Sequence, residues 1–252
     1  MVYGLWQSAD GLAAQDYRQT ILANNLANAD TPGFKAERVA FSERLNASLA
    51  RGGVSTRNPT LDPMTGGVFE TPTYVDFSPN QLIPSDSRFD VGIDGDGFLR
   101  VQTSEGAQVT RDGRMIISRD GTLRHAATGG AVLDVGGRPI TLHLTALDKV
   151  KIDSTGRIRQ GETVAGQIAL VDFADRQALV KTGKNLFSAA GARQTVAKGE
   201  IRQFLQESSG VEPISAMTDL IAASRAYQLN ASMISLQDES LGRTVNELGR
   251  IA

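Results

Sequence analysis

The feature that most constrains the fold is an uninterrupted, mostly apolar repeat near the C-terminus. Residues 214–250 contain no proline, and one seam recurs at alternating intervals of three and four residues, the period of a coiled coil. The seam comprises Met217, Leu220, Ser224, Tyr227, Ala231, Ile234, Asp238, Leu241, Val245 and Leu248. It predicts a single helix that, at 1.5 Å per residue, is roughly 50 Å long. Pro213 suits its first turn, and Ser208 and Ser209 are candidate caps.

A second helix is predicted at the N-terminus, over residues 3–28. A spacing of three to four residues links Val2, Leu5, Ala9 and Leu12, and then Ala23 and Leu26, with Asp16 and Gln19 interrupting the seam. The segment Asp30-Thr31-Pro32-Gly33 ends this helix, because proline disfavours helical geometry at the preceding residue and glycine permits a positive φ. Both ends of the chain are therefore predicted to be helical.

The middle of the chain has a different pattern. From about residue 90 to residue 204, short β-prone runs alternate with turn signals. The runs are 98–102, 115–118, 131–135, 140–144 and 167–173, and the turns are Asp112-Gly113, Asp120-Gly121, Gly129-Gly130 and Gly136-Gly137. This alternation is typical of an antiparallel all-β domain.

Together these patterns predict an α+β fold in which the two terminal helices pair as a coiled-coil-like domain and an antiparallel all-β domain is inserted between them. The predicted divisions are the N-terminal helix and turn (1–35), an extended connector (36–86), the β-rich outer domain (87–206) and the C-terminal helix (207–252). The connector is predicted because residues 52–86 hold five of the eight prolines and have no helical period.

Periodicity alone allows two interpretations of the helices: ordinary packing within a monomer, or contact with other copies. Two features favour an assembly. The C-terminal helix is too long for this β domain to cover, and its seam includes Ser224, Ala231 and Asp238, which allow close approach or set register instead of maximising burial.

Composition and motifs give no indication of catalysis, a cofactor or a metal site. The chain has no cysteine and a formal net charge of −2, so neither thiolate chemistry nor general attraction to nucleic acid is expected. No apolar run approaches the roughly 18 residues that span a bilayer, and a cleaved signal peptide is not expected. The two histidines, His125 and His143, are expected at surface or strand positions.

The loop Asp94-Gly95-Asp96-Gly97-Phe98 matches two ligand motifs only in part. A dinucleotide loop would need a third glycine where Arg100 stands, and a calcium loop would need an acidic first ligand and a twelfth ligand where Thr103 stands. The loop is therefore predicted to be a glycine turn that leads into the strand at Phe98.

Three asparagines near the end of the first helix form an unusual motif, Asn24-Asn25-Leu26-Ala27-Asn28, followed by Thr31-Pro32-Gly33-Phe34-Lys35. Helix termination accounts for Asn28 onward, but Asn24 and Asn25 lie inside the apolar pattern. Their amides are suited to capping carbonyls or to bonding another chain.

This stretch resembles the signature of the bacterial flagellar rod and hook proteins. Further similarity lies in DVGIDGDGFLRV from Asp90, the T-R-D-G turn from Thr110, LVKTGKNLF from Leu179, and the C-terminal helix with Arg225-Ala226-Tyr227 and Asn230. The length and LVKTGKNLF are most similar to the proximal rod subunit, with the distal rod subunit second. Two departures are Ser209-Gly210-Val211-Glu212-Pro213 in place of an asparagine-rich turn, and Gln228 in place of a glutamate.

The resemblance implies a structural subunit without catalysis, exported by the flagellar type III apparatus and stacked helically into the torque-transmitting rod that crosses the periplasm in the basal body. Its implied partners are other copies and neighbouring rod proteins, with no nucleic acid, small-molecule substrate or membrane insertion. The expected assembly residues are Leu5, Leu12, Asn24, Asn25, Leu26, Asn28, Thr31, Pro32, Gly33, Phe34, Met217, Leu220, Arg225, Tyr227, Asn230, Ile234, Leu241, Val245 and Leu248. A competing interpretation is a carbohydrate- or peptide-binding β module with a coiled-coil dimerisation helix.

Overall fold

The computed structural model describes residues 2–43, 67–70 and 73–248. Two long helices lie at the ends of the chain, α1 (Val2–Ala27) and α2 (Pro213–Leu248), and an antiparallel all-β region lies between them. The α+β prediction is confirmed. Both helices begin within one residue of the predicted positions, and Pro213 occupies the first turn of α2 as predicted. No described helix combines the length and apolar character needed to cross a membrane.

The described residues between the helices form short strands. They are β1 (Glu37–Arg38), β2 (Phe41–Glu43), β3 (Val68–Glu70), β4 (Tyr74–Val75), β5 (Leu82–Pro84), β6 (Val91–Asp94), β7 (Phe98–Thr103), β8 (Gly106–Thr110), β9 (Met115–Ile117), β10 (Leu123–His125), β11 (Ala131–Val132), β12 (Val150–Ile152), β13 (Arg157–Gln160), β14 (Thr163–Gln167), β15 (Leu170–Phe173), β16 (Val180–Gly183), β17 (Leu186–Ser188), β18 (Gln194–Val196), β19 (Glu200–Gln203) and β20 (Leu205–Glu207). Two short 3-10 helices span Leu144–Lys149 and Arg176–Ala178.

The largest sheet has nine strands. Its main path runs β16-β17-β8-β7-β11-β10-β9, and β15 pairs with both β7 and β18. A three-stranded sheet follows the order β12-β13-β14, and the pairs β19-β6, β20-β5, β2-β3 and β1-β4 complete the pattern. Every strand pair with a described register is antiparallel. Short turns join consecutive strands such as β7-β8 and β12-β13, whereas pairs such as β17-β8 and β19-β6 join strands that are distant in sequence.

Two apolar clusters form the core of the β region. The larger is aliphatic and includes Val91, Leu99, Ile158 and Ile201, all at most 1% exposed. The smaller is aromatic, with Phe77, Phe98, Phe173 and Phe187 in edge-on or tilted contacts whose ring centroids lie 5.2 to 6.4 Å apart. Such contacts stabilise the aromatic cluster beyond the burial of its surface.

Two details differ from the sequence predictions, and a third prediction is only partly covered by the described residues. Residues 140–144 form no strand: the N–H of Ile140 bonds to Val132 whereas that of Leu142 bonds to Gly121, so the segment crosses between partners without a continuous ladder. Ser208 and Ser209 do not cap α2, since the helix begins at Pro213. Much of the predicted connector (residues 44–66 and 71–72) lies outside the described residues.

The chain forms two compact units. One contains residues 1–27, 37–74 and 212–252 and is built mainly from α1 and α2. The other contains residues 28–36 and 75–211 and holds both apolar clusters. The turn that follows α1 thus belongs to the β-rich unit.

Candidate functional site

The two terminal helices pack against each other in antiparallel orientation. Gly4 lies beside the side chain of Gln237, and one heptad later Gly11 lies beside Asn230. Further along, Nε2 of Gln19 donates to the carbonyl oxygen of Ala223, with a distance of 3.4 Å. Residue numbers rise along α1 as they fall along α2. The predicted pairing of the chain ends is therefore an antiparallel helix pair within one chain.

The face of α2 that packs on α1 keeps four residues of the predicted seam, Leu220, Tyr227, Ile234 and Leu241, all half-buried. At the positions between them the buried or half-buried residues include Ala216, Ala223, Asn230, Gln237 and Thr244, each one residue before a predicted seam residue, and Ser224 and Ala231 of the predicted seam are also half-buried. Met217 and Val245 are 51% and 67% exposed, and Asp238 is also exposed, so these three do not pack on α1, and the assembly contacts predicted for Met217 and Val245 stay a prediction. The small side chains of Ala216 and Ala223 permit a close helix approach that larger residues would prevent.

The remaining predicted interface residues of the helices divide between the two faces. Leu5, Leu12 and Leu26 of α1 are half-buried, as are Leu220 and Leu241 of α2. Arg225 and Asn24 are exposed. The side chain of Leu248 lies outside the described residues.

Seven exposed apolar side chains lie along α2 outside the face that packs on α1, and we call them the apolar stripe. It comprises Ile214, Met217, Ile221, Leu229, Met233, Leu236 and Val245, each about half exposed or more. On α1, the only tryptophan, Trp6, is 67% exposed. Sequence reasoning missed most of this stripe because it sought only one seam per helix. A long run of exposed apolar side chains is typical of a surface that contacts another macromolecule.

The amide of Asn25 explains why asparagine interrupts the apolar pattern of α1. Its Nδ2 donates to the carbonyl oxygen of Glu37 at 2.8 Å, and its Oδ1 accepts the N–H of Glu37 at 3.0 Å. The side chain is only 6% exposed. Asn25 therefore satisfies both backbone groups of Glu37 and fixes the start of β1 beside the last turns of α1.

In the β-rich unit, the turn after α1 is tightly enclosed. Gly33 has a φ of +68°, and its N–H donates to the carbonyl oxygen of Glu207 at 2.8 Å. A Cβ at Gly33 would lie 2.6 Å from the backbone of Arg111, so no other residue fits. The carbonyl of Pro32 accepts a hydrogen bond from Asn185, and that of Phe34 accepts one from the N–H of Gly210.

These contacts bring together three segments that carry the family resemblance and the segment that leads to α2. Ser209 Oγ donates to the carbonyl oxygen of Asn28 at 2.9 Å. Thr110 Oγ1 donates to the carbonyl oxygen of Asn185, which itself holds Pro32. Lys181 Nζ lies 4.4 Å from the centre of the Phe34 ring. We call residues 28–36, 110–114, 181–185 and 207–210 the motif junction.

A buried ionic cluster lies within the motif junction. Lys35 Nζ is 2.7 Å from Glu207 Oε1 and also donates to the carbonyl oxygen of Ser78 at 2.6 Å. Arg111 Nη1 is 3.4 Å from Glu207 Oε2, and its guanidinium lies 5.3 Å from the Phe98 ring centre. The charged side chains are fully buried. Burial lowers the pKa of Lys35, and the adjacent Glu207 opposes this effect.

Glu207 is the anion on which the cluster depends, because it faces both cations and also accepts the N–H of Asn80 at 2.8 Å. Sequence reasoning missed Glu207 and treated Arg111 only as part of a turn. The sequence signal that could have indicated this cluster was the pair of adjacent charges, Arg111 and Asp112, inside the T-R-D-G motif.

A second polar cluster surrounds Asp112. His125 Nε2 lies 3.3 Å and Arg114 Nη2 2.7 Å from Asp112 Oδ2. Burial alone raises the pKa of Asp112, but the hydrogen bonds and charges of His125 and Arg114 outweigh it and lower the pKa to about 2. His125 is fully buried at the end of β10 and His143 is exposed, so each lies at a strand or surface position as predicted. The described residues include no cluster able to hold a metal ion.

Comparison with known proteins agrees with the position of these features. Residues 8–35 match the family described as "Flagella basal body rod protein", and residues 202–248 match "Flagellar basal body rod FlgEFG protein C-terminal". The two matches include most of α1, the turn after it, and α2.

Similarity to individual proteins extends over nearly the whole chain. FlgG of Caulobacter vibrioides is 32% identical over 94% of this chain and 96% of its own length. FlgF of the same organism is 34% identical, over 92% of this chain and 91% of its own. FlgG of Bacillus subtilis is 30% identical over 98% and 99% of the two lengths. The chain therefore belongs to the family of flagellar basal-body rod proteins.

Proposed function

We propose that this chain is a structural subunit of the flagellar rod, in which copies stack helically into a torque-transmitting shaft. The observation that carries the proposal is the two-sided character of α2. One face packs on α1, while the rest of the helix surface exposes the apolar stripe: Ile214, Ile221, Leu229 and Leu236 lie away from that face, and Met217, Met233 and Val245 flank it. A helical stack is a contact that does not close on itself, so every subunit needs a surface beyond those used within its own chain.

The apolar stripe is large enough to support such a contact. Burying one aliphatic side chain completely contributes about 1.5–3 kcal/mol. The seven residues of the stripe are already partly covered, so their further burial is worth on the order of 10 kcal/mol. This magnitude is comparable with the roughly 4–15 kcal/mol that association costs in lost freedom of motion. Contact along most of the stripe is therefore needed, which favours extended helix packing over a point contact.

The family resemblance adds three expectations. The subunit is exported through the flagellar type III apparatus without a cleaved signal, and it acts without catalysis. Its terminal helices form the inner tube, and the β-rich unit lies outside. The helices gain much of their order on assembly, which suppresses premature polymerisation. A dilute subunit is then expected to have less helix than the polymer.

The position along the rod is open between two alternatives. The segment Leu179–Phe187 favours the proximal rod, and the relative named FlgF is 34% identical. Relatives named FlgG, at 32% and 30%, favour the distal rod to a similar degree. Labelling the protein in isolated basal bodies and locating the label along the rod distinguishes the two positions.

The proposal is tested by placing a charge in the apolar stripe. Leu229→Asp, at a residue 68% exposed, is expected to abolish polymerisation and swimming while the β-rich unit stays folded. Val135→Asp is the matched control, because it adds the same charge at a 65% exposed valine of the β-rich unit. Fluorescence of Trp6, which shifts to shorter wavelength on burial, reports assembly. Normal polymerisation of Leu229→Asp would contradict the proposal.

A further inference from the structure

The seam between α1 and α2 contains layers in which a small residue faces an amide side chain. A Cβ on Gly4 would lie 3.0 Å from Nε2 of Gln237, and one on Gly11 would lie 3.3 Å from both terminal atoms of Asn230. In the next layer the order is reversed, since the amide now belongs to α1 and the small residue, Ala223, to α2. Each of these three amides therefore occupies the space left by a small partner.

This arrangement is unfavourable for helix stability alone. Glycine inside a helix is less favourable than alanine, and α1 has two glycines in its seam. The seam also buries the side-chain carbonyl oxygens of Gln15 and Gln237, neither of which has a hydrogen-bond partner among the described residues. An all-leucine seam would avoid both costs. Polar residues retained in a helical seam are known to specify register at the expense of stability.

We propose that the glycine–amide layers select one antiparallel register of α1 on α2. Sliding α1 by one heptad in one direction places Gly11 opposite Gln237 but brings Gln19 to the level of Asn230, so two amides meet in one layer. Sliding it the other way places Gly4 opposite Asn230 and Gln19 at the level of Ala216, but Gly11 then faces Ala223 across a void and Gln237 lies beyond the start of α1 at Val2. Of these three registers, only the observed one gives Gln19, Asn230 and Gln237 each a small partner.

Selection of one register matters where several copies lie side by side. Seams of uniform composition would let a helix slip along its partner or pair with a helix of another copy. The register itself lies within one chain. It can therefore be measured separately from polymerisation, and failure of one proposal is distinguishable from failure of the other.

Spin labels measure the register directly. The chain has no cysteine, so cysteines introduced at Ala9 and Ser232 are unique labelling sites. Both residues are exposed, and the contacts at Gly4 and Gly11 place them at the same level along the antiparallel helix pair. A slip of one heptad changes their relative height by about 10 Å, since each helical residue rises 1.5 Å. The full-length labelled protein is measured free and in polymers diluted with unlabelled chains.

In the polymerised parent protein, where the helices are ordered, we expect one narrow distance distribution. Gly11→Asn is expected to displace or broaden it, because two amides then share a layer. Combining Gly11→Asn with Asn230→Gly exchanges the partners and is expected to restore the parent distribution. Ala13→Asn, at an exposed position of the same helix, is the control and should leave the distance unchanged.

Three results would overturn the proposal. The first is a parent distribution retained in the Gly11→Asn protein. The second is failure of the exchanged pair to recover the parent distance. The third is a broad distribution in both the free and polymerised parent protein, which would mean that no single register exists.

Discussion

Removing the carboxylate of Glu207 is the sharpest test of the motif junction. Glu207→Leu leaves Lys35 and Arg111 as two fully buried cations without their shared anion. Breaking a buried ion pair from one side typically costs about 3–5 kcal/mol. The lost bond from the N–H of Asn80 adds about 1 kcal/mol. We therefore expect the β-rich unit to lose roughly 4–6 kcal/mol of unfolding free energy.

Urea unfolding of the full-length protein, followed by far-ultraviolet circular dichroism, measures this loss. The triple variant Lys35→Met/Arg111→Met/Glu207→Leu removes all three charges and is expected to recover most of it, since a packed apolar cluster replaces the ions. Glu200→Leu is the matched control. Glu200 pairs with Arg202 at 3.1 Å on the surface, where ion pairs contribute about 0–1 kcal/mol. The reasoning would be refuted if Glu207→Leu lowered the free energy of unfolding no more than Glu200→Leu does.

Three further predictions concern single residues. Asn25→Asp replaces the amide donor to the carbonyl oxygen of Glu37 with an oxygen and should destabilise this contact by about 1–3 kcal/mol. Faster hydrogen exchange at the end of α1 measures the loss, and Asn25→Gln, which keeps an amide, is the control. Gly33→Ala forces a Cβ into the backbone of Arg111, so thermal unfolding should occur several degrees lower, and an unchanged midpoint would contradict the enclosed turn. The carboxyl group of Asp112 has a pKa of about 2 in the folded protein, against 3.8 when exposed. This difference adds roughly 2 kcal/mol to the free energy of unfolding at neutral pH, and the contribution is lost as the pH falls from about 4 to 2. The stability deficit of Asp112→Asn should therefore shrink over that range, and a deficit independent of pH would refute this assignment.

The sequence predicted the features that depend on local chemistry. The structure ends α1 at Ala27, and the predicted turn signal Asp30-Thr31-Pro32-Gly33 follows it, with a φ of +68° at Gly33. The glycine turn before Phe98 follows from the same backbone preferences. The period of α2 was likewise visible over most of its 36 residues. Local propensity and the spacing of apolar residues are sufficient for these elements.

Features that depend on distant partners could not be predicted in the same way. A periodic pattern shows that α2 has a seam, but it does not show which small residues of α2 will face α1. Met217 was therefore assigned to the seam in place of Ala216. The anion for Lys35 lies 172 residues away at Glu207, and nothing in either local sequence links them. Asn25 was noticed as unusual, but its partner, the backbone of Glu37, carries no sequence signal because every residue has the same backbone groups.

The measurement that tests the central claim most directly is electron cryo-microscopy of basal bodies isolated from the organism that makes this chain. The account predicts density for α1 and α2 in the wall of the rod, with Leu229 and Leu236 of one subunit packed against a neighbouring subunit. Absence of the chain from the rod, or an apolar stripe that faces solvent in the assembled rod, would contradict it.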